Sequence, residues 1–385
     1  MNQQLCFILD SYPTKTTNGC VFAKHLICAI ADQGYECVVI SPRILGRELL
    51  YRGERMPYET ADRTPNGSVI RVFRPYSLFL SSRKQTMGLS MDNHFRAVMG
   101  VIAREKLNPV LVYGHFIYQC GLTAARVGQA LGIRAYCACG ENSLRLQKGS
   151  EPYATGLEHH NWAAILRKLS GVVCVSGNNR DLLLDTGFVD DDMKTGVFPN
   201  AVDGSKFYPM DRQACRRELG FPEDAFIVAY TGTFSSNKGV DRLSEALKGC
   251  DRVHSIFMGQ GALEPDCGGI LFRGRVPNDQ VAKYLNAADV FVLPTRGEGC
   301  CNAIVEALSC GLPVISSDLP FNDEILNEEN SIRIDVEDVA QLRESILRLS
   351  HDGALRGALA EGARRSSGEW SIHTRARRIL DFMEL

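Results

Sequence analysis

The chain has 385 residues, of which 45% are hydrophobic and 23% charged, with a formal net charge of -2, so it lies in the ordinary globular range and can form two domains. Its fourteen cysteines lie in apolar runs without a CxxC pair, which favours free thiols in a reducing cytoplasm over a disulfide framework. No signal-peptide pattern and no apolar run of about 20 residues occurs. We therefore expect a cytoplasmic protein that is not integral to a membrane.

Short apolar runs alternate with helical patterns along the chain. In the first half, the runs lie at residues 5–9, 37–40, 110–113, 135–138 and 172–175, with a polar loop over 11–19 and a helix pattern over 20–32. In the second half, they lie at 226–230, 255–258, 290–293 and 314–315, with helical segments near 241–247, 280–287, 303–309 and 340–349. This alternation is typical of parallel strands that are buried on both faces and joined by helices.

The two series predict an α/β fold with two Rossmann-like, doubly wound domains that face each other across a cleft. We place the N-terminal domain at residues 1–195 and the C-terminal domain at 196–369. The Arg-rich helix pattern at 370–385 is expected to pack back on the N-terminal domain. Since ligands of such sheets bind at the carboxyl ends of the strands, functional residues are expected in the loops that follow them.

The most informative stretch runs from residue 289 to 317. A strand leads into a loop with Glu298, a helix begins near Asn302, and Glu306 lies one turn inside that helix. Asn302 and Glu306 are four residues apart and share a helix face. Unpaired N–H groups at the helix start form an anion site, and they belong to Gly299, Cys300, Cys301 and Asn302. Two carboxylates beside an anion site indicate a ligand with both phosphates and hydroxyls, as in a sugar nucleotide.

This stretch resembles the E-x7-E signature of the fourth family of retaining glycosyltransferases. Glu298 and Glu306 have the required spacing, and the sequence EALSCGLPVI over 306–315 matches closely. The resemblance implies the GT-B fold, in which the N-terminal domain (1–195) is acceptor-binding and the C-terminal domain (196–369) is nucleotide-sugar-binding. It further implies front-face transfer that preserves the anomeric configuration. It also implies that Glu298 contacts the transferred sugar, that Glu306 binds the ribose hydroxyls, and that the loop and helix start hold the diphosphate.

Two further segments resemble the same family. Residues 197–209 resemble its interdomain Pro-Asn-Gly-Val-Asp segment, with Ala201 in place of the usual Gly. Residues 232–239 lead into a helix, and Lys238 lies just before it, where it can contact a diphosphate as a point charge. The family pairs this Lys with an Arg, but Thr233 stands at that position. One expected cation is therefore missing.

Weaker matches supply candidates for the missing cation. Residues 257–262 resemble the family's strand with a Gly-x-Gly turn, and 272–277 resemble the loop beside the nucleobase. Arg275 is the preferred substitute because it follows a strand on the same side of the sheet as Lys238. Arg296, two residues before Glu298, is the next candidate.

The N-terminal half resembles the family more loosely. Gly19 stands where the family has a glycine-rich loop near the donor phosphates and acceptor. The sequence YGHFIY over 113–118 resembles a strand end with a His, which makes His115 a catalytic candidate. In residues 137–142, Cys139 replaces the His of many relatives, and Glu141 is an acceptor-side candidate. A purely structural role remains open for His115 and Glu141.

Other functional classes require motifs that differ from these. A dinucleotide-binding dehydrogenase needs G-x-G-x-x-G directly after a strand, and no such unit occurs. The acidic run at 190–192 lacks His or Cys partners at ligand spacing, so we interpret it as a solvated loop and expect no metal. A nucleotide-sugar 2-epimerase and a non-catalytic sugar-nucleotide-binding protein remain open alternatives.

The expected partners are a nucleotide-sugar donor and a glycan or lipid-linked acceptor of cell-envelope polysaccharide synthesis. We expect a UDP-linked rather than a GDP-linked donor, no cofactor, metal-independent transfer and no nucleic acid. Residues 1–195 carry 22 basic and 17 acidic side chains, and 43–104 alone carry 11 and 5. This excess favours peripheral contact with the inner face of the cell membrane, although a solvated surface without a partner explains it equally well.

Overall fold

The computed structural model describes residues 3–14, 19–44, 56–78, 84–141 and 162–385. Residues 15–18 of the loop expected over 11–19, and Asn142, lie outside these ranges. The chain divides into two compact units: unit 1 is Met1–Phe198 with Arg375–Leu385, and unit 2 is Pro199–Thr374. The boundary expected after residue 195 lies inside a strand, and the division falls three residues later.

Unit 1 contains an eight-stranded sheet in the order β10-β9-β8-β7-β1-β2-β5-β4, beside a two-stranded β3-β6 pair. Its strands are β1 (Gln4–Ile8), β2 (Glu36–Ile40), β3 (Arg43–Ile44), β4 (Glu59–Arg63), β5 (Val69–Phe73), β6 (Tyr76–Ser77), β7 (Leu111–Gly114), β8 (Arg134–Cys139), β9 (Gly171–Cys174) and β10 (Thr195–Val197). Its helices are α1 (Val21–Ala31), α2 (Lys84–Arg104), α3 (Leu122–Leu131), α4 (Ala163–Leu166) and α5 (Gly177–Asp185), and a π-helical turn spans Ile117–Gly121.

The middle strands of unit 1 are apolar because helices cover both faces of a parallel sheet. Residues 5–8 and 37–40 are buried throughout, and β1 pairs in parallel with both β2 and β7. The edge strand β4 pairs antiparallel with β5, and its side chains alternate between exposed and half-buried. It has no apolar run, which is why sequence patterning missed it.

Unit 2 contains a parallel six-stranded sheet in the order β13-β12-β11-β14-β15-β16. Its strands are β11 (Phe226–Thr231), β12 (Val253–Met258), β13 (Ile270–Gly274), β14 (Val290–Leu293), β15 (Val314–Ser317) and β16 (Ser331–Ile334). Its helices are α6 (Arg212–Leu219), α7 (Val240–Leu247), α8 (Asn278–Ala287), α9 (Asn302–Ser309), α10 (Val339–His351) and α11 (Gly353–Ser366), and α12 (Ile372–Phe382) follows. In chain order this is the 3-2-1-4-5-6 arrangement of a doubly wound domain.

The last eleven residues return to unit 1. The Phe382 ring lies 5.4 Å from the Phe198 ring and 5.9 Å from the Tyr136 ring. Arg134 donates a hydrogen bond of 2.6 Å to the carbonyl of Met383. The helix pattern expected over 370–385 is therefore divided, because residues up to Thr374 belong to unit 2 and the rest pack within unit 1.

Candidate active site

The site candidates of unit 2 lie at the point where its strand order reverses. β11 and β14 are neighbours in the sheet, and the chain continues from them toward opposite edges. Ligands of doubly wound sheets bind at the carboxyl ends of such a strand pair, because the two following loops diverge and leave a crevice. Here those loops are residues 232–239 after β11 and 294–301 after β14.

The two loops are held together by their backbones. The N–H of Arg296 donates to the carbonyl of Asn237 at 2.9 Å, and the Thr295 hydroxyl donates to the same carbonyl at 3.2 Å. Gly239 has a φ of +76°, and a Cβ there would lie 2.2 Å from the carbonyl oxygen of Pro294. Only glycine allows both this conformation and this approach.

This junction brings Lys238 and Glu298 together. The Lys238 ammonium donates to the Glu298 carboxylate, and the two side chains are 25% and 13% exposed. Burial acts to lower the pKa of Lys238, but the neighbouring Cys301 and Glu298 outweigh it, so the net pKa is raised. Lys238 is therefore a firmly protonated cation, held in place by the carboxylate expected to contact the sugar.

The start of α9 lies beside this pair. Gly299 and Cys301 are buried. Their N–H groups donate no hydrogen bond to any residue that the structure describes. Asn200 supports the loop from outside, since its side-chain amide donates to the carbonyl of Cys300 at 3.0 Å and its own N–H donates to the Cys300 Sγ at 3.3 Å. The sequence showed Asn200 only as part of a motif, and its supporting role depends on the fold.

Glu306 lies one turn inside α9, on the face of Asn302. Its carboxyl is half-buried, and burial raises its pKa from the usual 4.5 to about 8. Among the described residues none forms a hydrogen bond with it. A half-buried carboxyl without a protein partner is free to accept or donate hydrogen bonds, so this group is suited to bonding the hydroxyls of a ligand.

The two arginine candidates differ in their surroundings. Arg296 forms a two-point ion pair with Glu337, with distances of 2.6 and 2.7 Å, and is therefore already neutralised. Arg275 is exposed and directly follows the edge strand β13, two strands from β11, and no described residue pairs with it. Arg275 thus remains the available guanidinium. The nucleobase loop expected over 272–277 begins inside β13, so that expectation was wrong for residues 272–274.

Arg242 is a buried cation that sequence patterning missed. It is 6% exposed and donates to the carbonyl of Pro294 at 2.7 Å, and its Nη1 lies 3.8 Å from the Asp241 carboxylate. Among the described residues, none forms a hydrogen bond with its Nε or Nη1. Burial, followed by the charge of Arg296, lowers its pKa. It lies beneath the loop junction and adds positive charge there. An arginine in an amphipathic helix resembles a surface residue, so only the packing reveals this position.

His115 and Glu141, the candidates of unit 1, lie in neighbouring loops. The His115 ring is buried against Phe22 and Phe116, with ring centres 5.1 and 4.7 Å away. Burial, and secondly the charge of Arg375, lowers its pKa to about 3, so the imidazole is neutral. Glu141 accepts a hydrogen bond of 2.7 Å from the N–H of Ile117 and thereby holds the turn after His115.

Gly19 and Cys139 occupy confined positions. A Cβ on Gly19 would lie 2.8 Å from the Ser11 hydroxyl, so this turn is closely packed. Cys139 is fully buried, and a hydrogen bond with Cys174 together with burial raises its pKa well above the usual value. The Cys139 thiol is therefore neutral and lacks the proton chemistry of the His that it replaces.

The segment that holds these residues is similar in sequence to known proteins. Residues 225–352, which contain Lys238, Glu298 and Glu306, match the family described as Glycosyl transferases group 1. A Bacillus subtilis protein described as a teichuronic acid biosynthesis glycosyltransferase, TuaC, is 25% identical over 93% of this chain and 92% of its own length. The Escherichia coli UDP-Gal:alpha-D-GlcNAc-diphosphoundecaprenol alpha-1,3-galactosyltransferase is 28% identical over 48% of this chain and 52% of its own.

The fold is also that of solved glycosyltransferases. The sucrose-phosphate synthase of Thermosynechococcus elongatus superposes with a TM-score of 0.81 at 19% identity, covering 100% of this chain and 98% of that one. The prediction of an α/β protein with parallel sheets in two domains is confirmed. The chain therefore has the GT-B fold, carries a glycosyl transferases group 1 domain over residues 225–352, and is a glycosyltransferase.

Proposed function

We propose that this glycosyltransferase is a retaining enzyme of the fourth family and that unit 2 binds its nucleotide-sugar donor. The observation that carries the proposal is the Lys238–Glu298 pair beside the unbonded N–H groups of Gly299 and Cys301. An entering diphosphate competes with Glu298 for the ammonium of Lys238. The carboxylate is then released to accept hydrogen bonds from the sugar, so the pair changes partners when the donor binds.

Charge stabilisation of the leaving diphosphate is the main demand of the reaction. Fixed donors aimed at developing charge are worth about 10² to 10³ in rate for each donor. Lys238 and the N–H groups at the α9 start provide such donors, and Arg275 supplies a further charge from the edge of the sheet. We propose that these groups suffice without a metal ion at the diphosphate. Glu306 binds the ribose hydroxyls of the donor.

We further propose a UDP-linked sugar as donor and a glycan or lipid-linked acceptor of cell-envelope polysaccharide synthesis. This proposal is supported by the two relatives, whose descriptions name teichuronic acid and a UDP-Gal-dependent transfer to a diphosphoundecaprenol acceptor. His115 and Glu141 would act on the acceptor side.

Peripheral membrane contact belongs to the same proposal. Tyr76, Leu78 and Leu89 are about half exposed, and the Arg43 guanidinium lies 4.5 Å from the centre of the Tyr76 ring. Exposed apolar side chains among basic residues suit an anionic lipid surface. Among the described helices none is long and apolar enough to cross a membrane. Absence of binding to anionic vesicles at low salt contradicts the membrane contact alone.

The test of the donor site is a thermal-shift panel of UDP- and GDP-linked sugars, followed by a transfer assay with the best donor. At about 100 times its dissociation constant, a ligand stabilises the folded state by about 2.7 kcal/mol. Lys238→Ala should abolish the shift and lower kcat/KM by about 10² to 10³. Lys248→Ala, which removes an exposed lysine paired with Glu245, is the matched control and should behave as wild type.

Four outcomes contradict separate parts of the proposal. A Lys238→Ala variant with the wild-type shift and rate removes the donor site from this position. An inverted anomeric configuration in the product, measured by NMR, excludes the retaining mechanism, and release of epimerised free sugar indicates a 2-epimerase. Transfer that is lost with a chelator and restored by Mg²⁺ or Mn²⁺ contradicts metal-independent departure of the diphosphate.

A further inference from the structure

Three potential metal ligands meet in unit 1, at the point where its own strand order reverses. β1 and β7 are neighbours from which the chain continues toward opposite edges of the sheet. Asp10 follows β1, Cys120 lies in the π-helical turn after β7, and His94 comes from α2. Their ligand atoms all lie within 4.8 Å of one another. They are far apart in the sequence, so they form no metal-binding motif that sequence spacing could reveal.

The hydrogen bonds of this cluster suit metal coordination. The Cys120 thiol donates to the Asp10 carboxylate at 3.1 Å, so a sulfur and an oxygen ligand already face each other. The Nδ1 of His94 is hydrogen-bonded to the Thr123 hydroxyl at 2.7 Å, which leaves Nε2 for a ligand. Metal-binding histidines are commonly oriented in this way, by a hydrogen bond from the other ring nitrogen.

The turn that presents Cys120 is strained. Phe116 and Gln119 have φ angles of +72° and +54°, which non-glycine residues rarely adopt. Such backbone conformations persist only where the surrounding packing holds them in place, and they are concentrated at ligand sites. A cavity of about 230 Å³ adjoins the cluster, and it is lined by Asp10, His94, Ser77, Ser90 and Gln119 together with Pro42 and Ile44.

We propose that Asp10, His94 and Cys120 form a Zn²⁺ site with one open coordination position at this cavity. Thiolate, imidazole and carboxylate are the ligand types of zinc, and three protein ligands with an open fourth position are typical of zinc sites that bind an exogenous oxygen. Binding replaces the thiol proton: Zn²⁺ and Cys120–SH give the zinc thiolate and one released H⁺. The two negative ligands then balance the charge of the ion, which favours its burial.

The test uses the full chain, freed of metal and titrated with Zn²⁺ against a chromophoric chelator. We expect one Zn²⁺ per chain, and with Co²⁺ a thiolate-to-metal charge-transfer band. Asp10→Asn should weaken zinc binding at least about tenfold, and Cys120→Ser should remove the band. Cys37→Ser removes another buried thiol, on β2, and is the matched control that keeps both signals.

Thr123→Val distinguishes a positioned ligand from a general loss of structure. It removes the hydroxyl bonded to His94 and should lower zinc affinity about 10- to 100-fold without changing the stoichiometry. If Cys120→Ser fails to fold, the zinc affinities of Asp10→Asn and Thr123→Val test the proposal instead. Both variants should fold, because Asp10 is exposed and Val matches Thr in shape. Substoichiometric binding, or zinc affinity that is unchanged in both variants, overturns the proposal. The donor shift of unit 2 is measured separately, so the two proposals fail independently.

Discussion

Glu306 is a carboxyl group whose titration should be visible in the stability of the donor-free protein. Because burial raises its pKa from 4.5 to about 8, the folded state favours the protonated form. The stability contributed by neutral Glu306 is therefore complete below about pH 4.5 and is lost as the pH rises toward about 8. We expect Glu306→Gln to flatten this part of the profile of melting temperature against pH.

The matched control is Glu344→Gln, which changes an exposed glutamate on α10. Between about pH 5 and 8, its melting temperature should change with pH as steeply as that of the wild type. This is about the range between the usual and the raised pKa of Glu306. An identical slope in Glu306→Gln and wild type means that Glu306 is not the titrating group.

Arg275 should support donor binding without being essential for it. It is exposed and has no described partner, whereas Arg273 pairs with Glu264 at 3.4 Å. We expect Arg275→Ala to raise the dissociation constant of the donor about tenfold, or about 1.4 kcal/mol, and Arg273→Ala to leave it within about twofold. Thr233→Arg should be tolerated or should tighten binding. Calorimetry checks this, and equal affinities of Arg275→Ala and wild type remove Arg275 from the site.

The junction between the loops after β11 and β14 is the element on which the proposed donor site depends. Gly239 and Gly249 both have a φ of +76°, but only at Gly239 would a Cβ meet another segment, 2.2 Å from the carbonyl of Pro294. Both alanine variants bear the cost of left-handed backbone, about 1 to 2 kcal/mol. Gly239→Ala must also separate the loops. We expect it to lose transfer activity by at least about tenfold, while Gly249→Ala loses stability alone.

Thermal melting and kcat/KM measured on both variants separate these effects. Comparable activity in the two variants, after correction for the folded fraction, contradicts the role of the junction. Gly239 and Gly249 have the same φ, so the two alanine variants differ only in the contact of the new Cβ with Pro294.

Strands could be predicted from the sequence where all of their residues are buried, because such strands appear as apolar runs. β11 and β14 are apolar runs between helical patterns, and the sequence showed both within a residue. β4 and β16 are edge strands with half-buried or exposed positions, so their side chains follow no single apolar pattern. Helix α2 was missed for a related reason, because its polar and apolar residues are mixed over residues 84–104.

At the scale of the whole molecule, unit 1 should depend on the C-terminal residues. Phe382 packs against Tyr136 and Phe198, and its loss leaves a cavity beside β10. We expect Phe382→Ala to destabilise unit 1 by about 2 to 3 kcal/mol. Arg377→Ala, which changes an exposed residue of the same helix, should have little effect.

Scanning calorimetry with and without donor provides the measurement. Because the donor stabilises the unit that binds it, a shift that persists in Phe382→Ala shows that unit 2 remains folded. Equal melting of Phe382→Ala and Arg377→Ala contradicts the structural role of the C-terminal residues.

The sequence by itself determined the α/β class and the two series of strands, and it singled out Lys238, Glu298 and Glu306 as site candidates. These are local properties, since hydrophobic period reports burial and motif spacing places side chains within one loop or helix. Strand order is not local, because it depends on how the whole sheet packs. Tertiary structure alone therefore decided that Lys238 and Glu298, 60 residues apart, form an ion pair, and that Asp10, His94 and Cys120 meet at a second reversal of strand order.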